Sequence, residues 1–216
     1  GLDSTTCAAI AKYQGFDLIG LTVNYGQNHA FELEAAKKVA NHYGIDEHSI
    51  IDIDLAQFGG SALTSNKIKI PRGRKISEMN DIPATYVPAR NTIFLSIALA
   101  KAETVNSFDI FIGVNAIDYS GYPDCRPVFI SEFEKLANLA TKEAVQNKGS
   151  YKIHTPLITL SKAEIIKKGI SLKVDYSLTS SCYKPNEYGN PCGFCDACIL
   201  RKKGFENAGF KDPLDY

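Results

Sequence analysis

Cys182, Cys192, Cys195 and Cys198 carry the most specific chemistry in the chain. Thiolates are soft ligands, and several within a few residues can close a tetrahedral shell around zinc, with Pro191 and Gly193 allowing the tight turn between them. Cys195 and Cys198 lie three apart at the start of a predicted helix, so both can face one ion while the segment bearing Cys182 folds back. Four protein ligands make such a site closed and structural. An iron–sulfur cluster is the sharper competitor, and disulfides or free thiols are a further reading, disfavoured by the compartment argued below.

The second candidate is Gly1-Leu2-Asp3-Ser4-Thr5-Thr6, which leads directly into an apolar run. Gly1 lets backbone pass close to a ligand, Asp3 or Ser4 can cap a helix, and Ser4, Thr5 and Thr6 add hydroxyl donors. That combination suits a phosphate at a helix N-terminus. On these six residues alone an ordinary N-cap is the commoner reading, because caps outnumber ligand sites. A third candidate runs from Gly113 to Arg126, dense in hydrogen-bonding side chains after an apolar strand: Asp118 and Asp124 can accept from ring N–H or amino groups, and Tyr119 can stack on a planar ligand. A structured loop whose acids cap turns is the alternative. His29 is either a base or phosphate donor, or a helix cap, and Arg90 presents a guanidinium at a helix N-terminus. Cys125 has no partner base nearby and is expected to be a small packed residue.

These groups need a scaffold, and the apolar pattern supplies one. Short strands at Leu18–Val23, Ile50–Ile53 and Phe108–Val114 alternate with helices at Ala30–Tyr43, Asn91–Glu103 and Val128–Gln146. Phe129, Phe133, Leu136 and Ala140 are spaced for one face of the last of these. An extended piece follows at Ile153–Leu157. Ser161-Lys162-Ala163-Glu164 then reads as a capping box, and a final helix carries Arg201, Lys202 and Lys203, expected on a solvated face. Residues 55–84 lack periodicity and read as a long functional or mobile connection. The expected fold is α/β with a parallel sheet: a body over 1–175 and a small cysteine-bearing region over 176–216.

Lys+Arg and Asp+Glu balance at 24 each among 216 residues, so no global field draws the chain to nucleic acid or an anionic membrane. No run suits a transmembrane span or a signal peptide, which makes a cytoplasmic location the expectation.

Several of these segments together resemble one family. Gly1 to Ser4 match the end of the Ser-Gly-Gly-x-Asp-Ser loop of the PP-loop ATP pyrophosphatases. With Tyr25-Gly26-Gln27, Val87-Pro88-Ala89-Arg90-Asn91, the stretch 118–126 and the cysteines, the chain is similar, in order and over nearly its whole length, to the 7-cyano-7-deazaguanine synthase family of queuosine biosynthesis proteins, QueC. The resemblance implies an adenine nucleotide alpha hydrolase-like fold and a ligase that uses ATP with Mg to convert 7-carboxy-7-deazaguanine and ammonia to the nitrile. It also implies a structural zinc on the four cysteines and a homodimer, with neither nucleic acid nor membrane as partner. Carried over by position, Gly1, Leu2, Asp3, Ser4, Thr5 and Thr6 would hold the ATP phosphates, Asp3 and Ser4 acting in catalysis. Tyr25, Gln27, Arg90, Asn91, Asp118, Tyr119, Ser120, Asp124 and Arg126 would line the substrate pocket. The chain departs from the pattern at Asn24, where Asp is frequent, and at Ala89, where Gly is common. The leading Ser-Gly is not in the sequence, so a strand and a Ser-Gly are expected ahead of Gly1, without which productive ATP binding is not expected. Two rivals remain: another PP-loop enzyme such as a tRNA thiolase, needing a reactive Cys7 or Cys125, and a zinc-ribbon module that binds nucleic acid.

Overall fold

A computed structural model describes residues 1–79, 81–117 and 122–216. The expected Asp118, Tyr119 and Ser120 contacts lie outside the described residues. The chain begins in helix α1 (Leu2–Tyr13), followed by β1 (Gly20–Asn24), α2 (Phe31–Tyr43), β2 (His48–Asp52), α3 (Arg90–Thr104) and β3 (Asp109–Phe111). Helices α4 (Pro127–Ala140) and α5 (Lys142–Val145), strand β4 (Lys152–His154) and helices α6 (Lys162–Ser171) and α7 (Asp196–Ala208) complete it.

Two separate two-stranded sheets form, both parallel, as the strand-helix alternation requires. Strand β1 pairs with β2 in the register Gly20↔His48 to Asn24↔Asp52, and β3 pairs with β4 from Asp109↔Lys152 to Phe111↔His154. Residues of β1 and of β3 both border a cavity of about 560 Å³ that runs between the two pairs. Asn24, where Asp is frequent, donates its amide to Asp52 Oδ1 at 2.7 Å. An aspartate there would set two carboxylates against each other.

Three apolar clusters hold the body. Leu95, Leu99, Ile110, Ile130, Phe133, Tyr151 and Ile153 join α3 and α4 to β3 and β4. Leu2, Ile10, Leu157, Ile165, Ile166 and Phe205 join α1, α6 and α7, so the cysteine-bearing region shares a core with the body that precedes it. Val23, Tyr25, Leu55, Leu63 and Val87 seat the long 55–84 connection against β1.

Several expectations need correction. The helix expected over 128–146 is two, because Thr141 is extended (φ −111°, ψ 146°); its hydroxyl donates to Ala137 O at 2.7 Å and competes with continuation of the helix. The buried face is Ile130, Phe133 and Ala137, while Leu136 and Ala140 are exposed. The buried face packs on α3, β3 and β4, and it is offset from the expected one at Ile130 and Ala137. Paired strand residues are fewer than expected for 108–114. Arg201 is buried, not solvated: it pairs with Asp212 (Nε–Oδ2 2.8 Å, Nη2–Oδ1 2.9 Å) and donates to Thr179 Oγ1 and Tyr176 O. The capping box at α6 forms as expected, Glu164 accepting from the Ser161 N–H at 2.8 Å and Ser161 Oγ accepting from the Glu164 N–H at 3.4 Å.

Candidate active site and cysteine cluster

Helix α1 starts one residue after Gly1, so Asp3 and Ser4 sit in its first turn and do not cap it. The first internal bond runs from the Thr5 N–H to Gly1 O, leaving the amides of Leu2, Asp3 and Ser4 free of intrahelical partners. Gly1 and Ser4 border the cavity. Thr5 and Thr6 do not act as surface donors: both are buried, Thr5 Oγ1 donating to Gly1 O and Thr6 Oγ1 to Leu2 O, each at 2.9 Å. Leu2 is core as well, so a phosphate here would meet backbone amides and Ser4, with no help from the threonine hydroxyls. Gly113, at the end of β3, makes this approach possible: a Cβ there would lie 2.9 Å from Ser4 N and Cα.

Asp3 turns to the interior side and meets Lys162, the first residue of α6, at 2.8 and 2.9 Å. The lysine side chain is 9% exposed and the aspartate 25%. A cation at a helix N-terminus opposes the dipole, and this mismatch in Ser161-Lys162-Ala163-Glu164 was the one sequence signal that Lys162 serves another segment. Gly204 of α7 makes room for it, since a Cβ at 204 would fall 2.4 Å from Lys162 Cγ.

The polar end of the cavity gathers Gly1, Ser4, Tyr25, Gln27, Glu32, Arg90 and Tyr183 around the carboxyl ends of β1 and β3. Arg90 lies over Tyr25 (5.7 Å to the ring centroid) and Phe94 (5.9 Å), and among the described residues no carboxylate pairs with it. Gln27 folds back so that its side-chain oxygen accepts from the Tyr25 N–H at 2.9 Å. Burial, with the nearby Glu32 charge, pushes the Tyr25 hydroxyl up to about 12, so it stays a neutral donor. The other end, between the strand edges, is lined by apolar residues such as Leu21, Phe94, Leu95, Ile110 and Phe111.

Three expected pocket residues are placed elsewhere. The Asn91 N–H donates to Asp124 Oδ2 at 2.9 Å, and the Asn91 amide donates to Asp124 O and Cys125 Sγ, both at 3.2 Å. Both residues are buried and spend their capacity on each other, with Asp124 satisfying an open amide at the start of α3. Arg126 is exposed and does not border the cavity. Glu32 and Tyr183, which border the cavity, and Lys162, which holds Asp3, are candidate residues that sequence reasoning missed.

The four cysteine sulfurs lie within 4.8 Å of one another, and none is in a disulfide. Tetrahedral zinc with ~2.3 Å bonds would space them about 3.8 Å apart, a small contraction. Backbone N–H groups already point at the sulfurs: those of Lys184 and Cys192 donate to Cys182 Sγ at 3.3 and 3.2 Å, that of Cys195 to Cys192 Sγ at 3.4 Å, and that of Tyr183 to Cys195 Sγ at 3.5 Å. Such donors stabilise thiolates and fix their orientation. Cys195 is held far below the ordinary thiol range by hydrogen bonds with Cys182 and Cys198, and both of those are pushed up. Four soft sulfur donors at this spacing fit a dication such as zinc. The 55–84 connection is fastened here: Arg72 bridges Cys195, the Gly73 N–H donates to Phe194 O at 2.8 Å, and Arg74 Nε donates to both Asp196 oxygens at 3.3 and 3.2 Å.

The sequence is similar to known proteins over nearly its whole length. The family model for "Queuosine biosynthesis protein QueC" matches residues 1–209. Three proteins named 7-cyano-7-deazaguanine synthase align over the whole chain. That of Syntrophotalea carbinolica is 59% identical over 216 residues, 93% of its own length. That of Myxococcus xanthus is 58% identical over 217 residues and that of Citrifermentans bemidjiense 61% over 216, each across 94% of its length. The chain belongs to the QueC family of queuosine biosynthesis proteins.

Proposed function

We propose that the chain is an ATP-dependent 7-cyano-7-deazaguanine synthase, a C–N bond-forming ligase acting on 7-carboxy-7-deazaguanine and ammonia. The observation that carries the reading is end-to-end similarity to relatives of that name at 58–61% identity; the polar end of the cavity supports it. A carboxylate resists ammonia because it is anionic and has no leaving group. Attack of its oxygen on the α-phosphorus of ATP releases pyrophosphate, and ammonia then displaces AMP to give the amide. The amide oxygen attacks a second ATP; loss of AMP and two N–H protons leaves the nitrile.

In this reading the enzyme orients and neutralises, and needs no protein nucleophile. The free amides of residues 2–4 and the Ser4 hydroxyl hold phosphate oxygens. Asp3, tied to Lys162, fixes the turn. Arg90, stacked on Tyr25 and Phe94, faces the substrate anion, and Gln27 and Tyr183 complete the wall. Mg accompanies ATP as counterion to its phosphates. Cys182, Cys192, Cys195 and Cys198 would hold zinc, which would supply a structural cross-link between the 182–195 segment and α7.

The rivals are less well supported. Burial pushes Cys7 to about 12 and Cys125 to about 11, with nearby Asp3 and Asp124 adding to it, so neither thiol is poised for thiolation. A zinc-ribbon module would use Arg201, which is buried in an ion pair. The balanced charge supports an enzyme without nucleic-acid partners, and exposed Val128, Leu136, Leu139 and Val145 offer a surface for a homodimer, checked by its mass in solution. The function is tested by incubating the protein with ATP, ammonium and 7-carboxy-7-deazaguanine and following nitrile and AMP by mass. Activation of a different carboxylate, with no nitrile from this one, would refute it.

A further inference from the structure

A second pocket of about 540 Å³ adjoins the cavity, and Tyr183 lines both. Its charged lining is entirely basic: Lys69 and Arg72 come from the 55–84 connection and Lys184 from the cysteine segment. Elsewhere among the described residues of this neutral chain some exposed lysines meet acids, as in Lys37–Glu34, Lys135–Glu132 and Lys152–Glu134, and others stand alone in solvent, but this pocket gathers three cations around one cavity. Among the described residues none of the three pocket cations has an ion-pair partner. His29 also lines the pocket, and its Nδ1 is buried without a hydrogen-bond partner. The three side chains are exposed, so their mutual repulsion is modest, and an anion seated among them would relieve it and gain three cationic partners.

We propose that this pocket is a separate polyphosphate site that takes inorganic pyrophosphate beside the nucleotide cavity. The inference rests on the ATP-consuming reading above and goes beyond it. Three cations and an imidazole match a pyrophosphate carrying three to four negative charges; a lone carboxylate would leave most of that charge unneutralised. The walls are preorganised, because Arg72 bridges Cys195 and the Lys184 N–H donates to Cys182 Sγ. The chemistry gives the site a purpose: two adenylations release two pyrophosphates, and the first must leave the cavity before a second ATP enters.

Equilibrium dialysis of the purified protein with inorganic pyrophosphate and, separately, with ATP tests this in wild type and in the double variant Arg72→Gln/Lys184→Gln. The account expects pyrophosphate to bind about tenfold more weakly to the variant, ATP to bind within about twofold of wild type, and Arg72→Lys/Lys184→Arg to restore pyrophosphate binding. Unchanged pyrophosphate binding overturns the proposal. Equal loss of ATP and pyrophosphate overturns it as well, assigning the pocket to the tail of ATP. Bound zinc and the melting temperature report whether the variant is folded; if it is not, Lys69→Gln, remote from the cysteines in sequence, is read by the same criteria. Absence of AMP in the turnover assay would instead refute the ATP reading, while the dialysis still judges the pocket.

Discussion

Asp3 and Lys162 are separated by 159 positions and meet at 2.8 Å, which makes their pair the clearest link between the first turn of α1 and the rest of the molecule. Removing one partner strands the other charge in a partly buried place, so Lys162→Met should lower stability by about 2 kcal/mol and kcat/KM by about tenfold or more, the latter read in the nitrile assay. A loss of stability with full activity at saturating ATP would reduce Lys162 to a structural role. The cysteine cluster was legible in sequence because its four members lie within 17 residues, where spacing constrains geometry. Asp124 and Asn91 were not, because their hydrogen bonds are to each other across 33 positions, and residue type alone cannot separate a ligand contact from a satisfied core pair. Thr5 and Thr6 misled for a related reason: a hydroxyl inside a helix can return its proton to a carbonyl four residues back.

Helix α3 opens from Ala89, whose φ of 55° puts a side-chain-bearing residue in the left-handed region. Glycine is free of that penalty, so Ala89→Gly should stabilise the protein by about 1 kcal/mol in denaturant melts, with the slope unchanged; destabilisation would mean that the methyl group has a packing role. The strands and most helices were legible because their apolar periodicity is local. The break at Thr141 was not, since apolar spacing continues through it. The 55–84 connection read only as an aperiodic functional or mobile segment because its order comes from distant partners, chiefly Cys195, Phe194 and Asp196. Chelation should therefore remove one zinc per chain, bleach no visible absorbance, and expose both the 182–195 segment and residues 72–74 to hydrogen exchange. A coloured protein would point to an iron–sulfur cluster.

At the scale of the molecule, several buried acids are kept neutral by the fold. Burial leads the upward shift of Tyr25, Tyr176 and Cys7, each to about 12. The unfolded chain loses these protons near pH 9 to 10 and the folded chain holds them to about 12. Their contribution is thus complete below pH 9 and lost as pH rises toward 12, at ~1.4 kcal/mol per unit for each group. Urea midpoints should fall steeply above pH 9, less so in Tyr176→Phe once its lost hydrogen bond to Thr6 is allowed for; a flat profile would contradict the burial. The central claim is that one cavity activates the same carbon twice. Counting AMP against nitrile in a single reaction with limiting 7-carboxy-7-deazaguanine tests it most directly: the account predicts two AMP per nitrile, with the amide appearing and then disappearing, whereas one AMP per nitrile, or ADP in place of AMP, would contradict it.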